Sequence, residues 1–238
     1  MAGSARLKTL LEVASTVAVV AASAGVLWGV YGRGPVGSGP GPKAPGSREI
    51  PIPKAPVTIA GAATKGSSAA KVGILEFSEF QCPYCVRFVD TTLSALVEKY
   101  VDTGQVLFAF RHFPLDIHPL AADAAELAAC ASSQGKFWPL HDSFFSRPKV
   151  DSRDEYANRA RAAGLTREAA DACVRSKQAA QAVRTDREMG GALKISGTPT
   201  FFVGTLEGSA IAVRSVIRGA QPLEAFDRAI GEALSGMK

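Results

Sequence analysis

Four cysteines stand in this 238-residue chain, and two of them, Cys82 and Cys85, lie three positions apart in the stretch EFSEFQCPYC. Two thiols at that spacing can share a metal, close a short structural bridge, or pass electrons. A structural zinc site commonly draws on two such close pairs. Cys130 and Cys173 do not supply a second one, and His112, His118 and His141 make no ligand spacing with them, so no metal is expected. A bridge between Cys82 and Cys85 would close so short a loop that it would constrain the unfolded chain little. Electron exchange fits the placement better. The mostly apolar run AKVGILEFSEF (70–80) reads as a strand buried on both faces, and Pro83 sits where a first helical turn begins, a position proline tolerates. Cys82 would then stand at a helix N-terminus. Unpaired N–H groups and the helix dipole stabilise an anion there, which lowers the pKa of the thiol and populates the thiolate, the species that attacks and leaves. Cys85, one turn in and more buried, would attack a mixed disulfide formed at Cys82.

The elements around the pair can be read coarsely. APVTIAG (55–61) is expected as a short first strand. After Pro83, Val86, Val89, Leu93, Leu96, Val97 and Tyr100 recur at helical spacing, with Gly104 as the stop. QVLFAFR (105–111) is a second buried strand, which completes a βαβ unit. Residues 120–191 are Ala-rich and broken near Gly135, Pro148 and Gly164; they read as four or five short helices, one opened by a capping box of Ser152 and Glu155. TPTFFVG (198–204) and IAVRSVIRG (211–219) return to strand character, and PLEAFDRAIGEAL (222–234) is an amphipathic closing helix with Pro222 at its start. The fold class is α/β, in the order β-α-β, helical block, β-β-α. Phe137 and Trp138 are expected in the core, and Glu79 at the surface. The three histidines are expected as loop or capping residues without a chemical role.

The composition is globular, 47% hydrophobic and 21% charged, with a net charge of +5. That excess sits in the first 67 residues, and the remainder is neutral. A phosphate-binding surface would need a basic excess in the folded part, so nucleic acid is excluded as a partner. Residues 13–31 run without a charge for about 28 Å of helix, one bilayer core, after Arg6 and Lys8 and with Trp28 and Tyr31 at the far end. This is either an uncleaved signal anchor or a signal peptide with Ala22-Ser23-Ala24 at its cleavage site. Either would place the C-terminal part of the chain outside the cytoplasm. Residues 32–48 hold six Gly, four Pro and two Ser, a composition that cannot offset its ordering entropy and so reads as a tether. The expected organisation is a membrane segment over 1–31, a Gly/Pro-rich linker over 32–54, and one domain over 55–238 with a helical insertion at about 118–191.

The segments ILEFSEFQCPYC, RHFPLDIHPLA, CASSQGKFWPLHDSFF, ISGTPTFFVG and VIRGAQPLEAF, in that order, resemble the DsbA-like branch of the thioredoxin superfamily, the thiol:disulfide oxidoreductases of bacterial envelopes. The resemblance runs from about residue 56 to 234. It implies a thioredoxin fold with an inserted helical subdomain, Cys82 as nucleophile and Cys85 as resolving thiol. It implies that Pro199 takes the cis form beside them, and that Thr198 pairs its backbone with an extended substrate, with Pro83 and Tyr84 completing the substrate surface. Glu76 corresponds to a buried acid that relays the proton of Cys85; read from the residues alone, it could equally be a strand-end carboxylate facing water. A structural disulfide between Cys130 and Cys173 is also implied, closing a loop of about 44 residues worth about 4 kcal/mol; two buried free thiols are the alternative. The resemblance implies exported protein substrates, a quinone-linked membrane partner for reoxidation, an inner-membrane-anchored or secreted periplasmic location, and no separate cofactor.

One departure matters. Strongly oxidising relatives carry His between the cysteines, where this chain has Pro83 and Tyr84. Without an imidazolium beside Cys82 the reduced form is less stabilised, so a milder oxidant is expected. Thr198 before the proline points toward reductase or isomerase character, fed by a thiol donor. A copper-transfer chaperone using the two thiolates is the reading from another class.

Overall fold

The computed structural model describes residues 50–146 and 150–236. The apolar segment 13–31, the linker up to residue 49 and the break at Pro148 lie outside the described residues. Among those described, no helix is long and apolar enough to cross a membrane.

A six-stranded sheet organises the domain. Its strands are β1 (Val57–Thr58), β2 (Ala63–Lys65), β3 (Val72–Ser78), β4 (Val106–His112), β5 (Thr200–Glu207) and β6 (Ala210–Arg218), in the order β1-β6-β5-β3-β4-β2. β3 and β4 run parallel and every other pairing is antiparallel. β3 and β4 are buried throughout, as near-continuous apolar runs must be when both faces are covered. Alternation then sorts their side chains. Val72 and Ile74 of β3 join Phe108, Phe201 and Val203 under one set of helices, whereas Leu75 and Phe77 join Ala109 and Phe202 on the opposite face. Glu76 has the parity of Val72 and Ile74, so it faces the first set.

The first helix, α1, opens as Pro83–Phe88 and runs on through π-type stretches at Val89–Leu93 and Val97–Val101, with Ser94–Leu96 between them. Its i→i+5 bonding is explicit where the Asp102 N–H donates to the Val97 carbonyl at 2.9 Å. Gly104, at φ +76°, ends the turn that leads into β4. The closing helix α7 (Leu223–Ser235) packs beside α1 through Phe226, whose ring lies 5.5 Å from that of Phe88.

Between β4 and β5 come α2 (Ala121–Ser132), α3 (Phe137–Phe145), α4 (Arg153–Ala162), α5 (Arg167–Ser176) and α6 (Gln178–Ala192). Ser152 caps α4, its hydroxyl accepting the Glu155 N–H at 3.2 Å. These five helices share an aromatic core of Phe80, Phe110, Phe137, Phe144, Phe145 and Tyr156. A disulfide between Cys130 and Cys173, 2.04 Å between sulfurs, ties α2 to α5.

The strand readings need trimming. The stretch 55–61 shortens to Val57–Thr58, the strand read over 198–204 begins only at Thr200, and β2 is additional. β2 pairs with β4 only as far as Ala63 opposite Phe110. Beyond that the edge of β4 is closed by a side chain: Asp186 of α6 accepts the His112 N–H at 3.0 Å and pairs with the Arg111 guanidinium, which also donates to the Ala60 carbonyl at 2.6 Å. Trp138 is only half-buried, its indole N–H donating to the Thr64 carbonyl at 2.7 Å, while Phe137 is in the core.

Candidate active site

β3 ends at Ser78, and four residues later Cys82 caps α1 in an extended conformation with Pro83 as the first helical residue. The cap residue makes no side-chain hydrogen bond to the helix, so the N–H groups of the first turn stay free beside a thiol. Cys82 and Cys85 are both buried and stand as free thiols, packed into the aromatic core of the helical insertion. Pro83 and Tyr84 are exposed, and the Arg87 guanidinium lies 5.6 Å from the centre of the Tyr84 ring.

The segment leading into β5 completes the site. Thr198 and Pro199 are joined by a cis peptide bond. The Cys82 thiol donates to the Thr198 carbonyl at 3.3 Å, a bond spanning 116 residues of sequence. The Thr198 hydroxyl is buried with no partner, free to turn its proton toward the sulfur once that is ionised.

The two sulfurs differ in charge state. Cys82 is lowered to about 5, chiefly by the hydrogen bond from Cys85, with Thr198 and the N–H groups of Cys85 and Tyr84 adding to it against the cost of burial. Cys85 is pushed well above the ordinary thiol value, first by burial, then by its bond to Cys82 and the nearby negative charges of Cys82 and Glu76. Glu76 is fully buried below the pair, and neither of its oxygens makes a hydrogen bond. Burial raises its carboxyl to about 8, with the adjacent Ser78 hydroxyl pulling the other way and the Cys82 charge adding to the rise. Glu76 therefore does not face water; it holds a proton at neutral pH.

Other expectations fail instructively. Glu79 is fully buried rather than exposed: its Oε2 accepts the Gln81 N–H at 2.7 Å and its Oε1 meets His118 Nδ1. His112 and His141 are buried among the rings of Phe80, Phe110 and Phe137 rather than in loops or caps. Burial lowers His112 to about 3, so it stays neutral. The Glu79–His118 contact joins residues 39 apart, and no local spacing announces it. Cys130 and Cys173, bonded to each other between α2 and α5, form a second sulfur site distinct from the Cys82–Cys85 pair. Among the described residues no group of three or more His, Cys, Asp or Glu side chains could hold a metal ion.

Comparison with known proteins agrees with this architecture. Residues 58–228 match the family model described as thioredoxin. The chain is 29% identical over 148 residues to a probable disulfide bond formation protein D of Bacillus anthracis, covering 58% of this chain and 67% of that protein. It is also 30% identical over 166 residues to the Na(+)/H(+) antiporter NhaA 3 of Salinispora tropica, covering 66% of this chain and 25% of that protein. The chain thus spans about a quarter of the length of the antiporter relatives it matches. Among solved structures, alpha-DsbA1 of Wolbachia pipientis has a TM-score of 0.62 at 24% identity, over 74% of this chain and 94% of that one.

Proposed function

The chain belongs to the thioredoxin family, and on that premise we propose that it is a DsbA-like thiol:disulfide oxidoreductase that forms or exchanges disulfide bonds in exported proteins through Cys82 and Cys85. The observation that carries the proposal is the placement of two free thiols at the first turn of α1, with Cys82 at the helix start and its sulfur 3.3 Å from the Thr198 carbonyl; the hydrogen bonds there lower the pKa of Cys82 while burial raises that of Cys85.

From the oxidised pair, a client thiolate attacks Cys82 Sγ. The bond between the two sulfurs breaks and its electron pair goes to Cys85, which takes a proton at once because its thiol is so weak an acid. Glu76, protonated below about pH 8, is the donor. A second client thiolate then attacks the client sulfur of the mixed disulfide. The client's disulfide closes, and Cys82 leaves as a thiolate. Two electrons have passed from client to enzyme. The acidity of Cys82 makes it a good leaving group and stabilises the reduced form, which is what drives oxidation. That acidity rests on hydrogen bonds, with no cation contributing, and Tyr84 cannot supply one; this supports a milder oxidant than relatives with His in that place. Thr198 and Pro199 offer backbone to an extended client, with Pro83 and Tyr84 beside them.

The organisation that suits this activity is a membrane segment over 1–31, acting as anchor or as cleaved signal, a tether over 32–54, and the domain over 55–238 on the extracytoplasmic side of a bacterial inner membrane. A quinone-linked membrane partner reoxidises the pair; in the reductase or isomerase reading, which Thr198 favours, a membrane thiol donor reduces it. Ion exchange is not carried over from the antiporter relatives, because the shared 166 residues are about the length of the present domain. The reduction potential of the pair tests the direction: a value clearly more oxidising than the roughly −270 mV of thioredoxin supports the oxidant, and a value at or below it supports the reductase. Replacement of Cys85 by Ser should accumulate mixed disulfides with clients.

A further inference from the structure

The loop that carries Cys82 is fastened to the helical insertion by two side chains. Glu79 reaches His118, in the segment leading into α2. Gln81 accepts the Leu120 N–H on its Oε1 at 2.8 Å and donates from Nε2 to the Val150 carbonyl at 3.3 Å. Between them Phe80 inserts into the aromatic core, its ring 5.1 Å from Phe144 and 5.0 Å from Phe145. The acid at the centre of this clamp is completely buried three residues before the nucleophile, where an exposed Ser or Asn would make the same turn without the cost of desolvating a carboxylate.

We infer that Glu79, fixed by His118 and by the Gln81 N–H, is a positioning residue that ties the strength of the Cys82 nucleophile to a proton held at the seam between the active-site loop and the helical insertion. The inference rests on Cys82 being the nucleophile. Among the described residues, the titratable groups facing Glu79 are His118 from the loop before α2, Tyr156 from α4, and Cys82 itself. The Tyr156 hydroxyl is buried without a partner, and its ionisation is opposed by burial and by the Glu79 charge. Burial raises the Glu79 carboxyl to about 7, against the pull of the Gln81 N–H and of His118. Cys82 is already an anion at that pH. As pH rises through neutrality the carboxyl gives its proton to water at the partly exposed edge of His118, and a second negative charge appears in the same buried loop, three residues before the thiolate. The thiolate becomes more basic, and nucleophilicity rises with basicity with a Brønsted slope of about 0.4–0.5.

The rate of alkylation of Cys82 in the reduced protein, followed against pH, reads this directly. The parent should rise once as the thiol ionises and a second time, by about two- to threefold, between about pH 6 and pH 8. Glu79→Gln keeps the acceptor for the Gln81 N–H and should lose the second rise while keeping the first. His118→Asn removes the partner that favours the carboxylate and should move the second rise to higher pH. The equilibrium constant for oxidising glutathione should increase several-fold in Glu79→Gln at about pH 8 and stay at the parent value at about pH 5. A parent profile with a single step, or a second step that survives in Glu79→Gln, overturns the inference. Loss of disulfide exchange in Cys82→Ser, measured alongside, separates that outcome from a wrong choice of nucleophile.

Discussion

Cys82–Cys85 and Cys130–Cys173 belong to one apolar cluster, yet the first pair stands as two thiols and the second is bonded. The surroundings account for the contrast. Cys82 caps a helix, faces free N–H groups and has the Cys85 thiol and the Thr198 hydroxyl as donors, so its sulfur tolerates negative charge. Cys130 lies within α2 and Cys173 within α5. The second pair links segments distant in sequence, where a bridge removes much entropy from the unfolded chain, whereas the first would close a loop too short to matter. One pair is placed to change state, the other to prevent change.

Substitutions can break this contrast from either side. The largest effect belongs to Cys82→Ser, which should cut oxidation of a reduced client protein by about a thousandfold or more while costing the reduced protein only the contribution of its thiolate, about 1–2 kcal/mol at neutral pH. Replacing Cys130 and Cys173 together by Ala should do the reverse, lowering the unfolding free energy by about 4 kcal/mol in urea with exchange chemistry intact at low temperature. Equal effects of the two replacements on both assays would erase the distinction.

Glu76 sharpens it further. Its folded carboxyl sits at about 8 against an ordinary 4.5, so between those values the folded chain holds a proton that the unfolded chain has released. Stability therefore falls as pH rises through that window and levels off above it. Glu76→Gln should leave stability at about pH 5 nearly unchanged and raise it by about 2–4 kcal/mol at about pH 8, measured by denaturant unfolding of the oxidised form. Cys82 works in the opposite sense. Its folded thiol is depressed from 9.0 to about 5, so its contribution to the reduced form is present in full above the unfolded value and is lost as pH falls through the folded one. Reduced protein should thus exceed oxidised protein in stability at neutral pH by about 1–2 kcal/mol, allowing for solvent screening at the sulfur, and the gap should close near pH 5. A gap constant with pH would place the thiolate elsewhere.

Much of this was legible in the chain. The helix start at Pro83, the buried runs of β3 and β4 and the cap at Ser152 each follow from a local signal: a proline in the first turn, a mostly apolar run, a serine three residues before a glutamate. The order of elements placed the cysteines at a strand-to-helix junction. What could not be read depends on partners far along the sequence. The burial of Glu79 exists because the segment at His118 folds over it, and His112 and His141 are enclosed by rings from β4, α3 and the loop before α1. A polar residue looks solvent-facing until the element that covers it is known. β2 was missed for a similar reason: three residues with no apolar alternation pair with β4 only because its edge is there to receive them.

The carboxylate of Asp186 on the rim of β4 carries a consequence of its own. A row of unpaired amides on a sheet edge is open to any extended segment that meets it. The outermost strands here are only two and three residues long, and where the second gives out a charged side chain occupies the vacant position. Extended segments of other chains are thus denied a foothold on that flank of the sheet, so the same feature that finishes the fold guards against edge-to-edge aggregation.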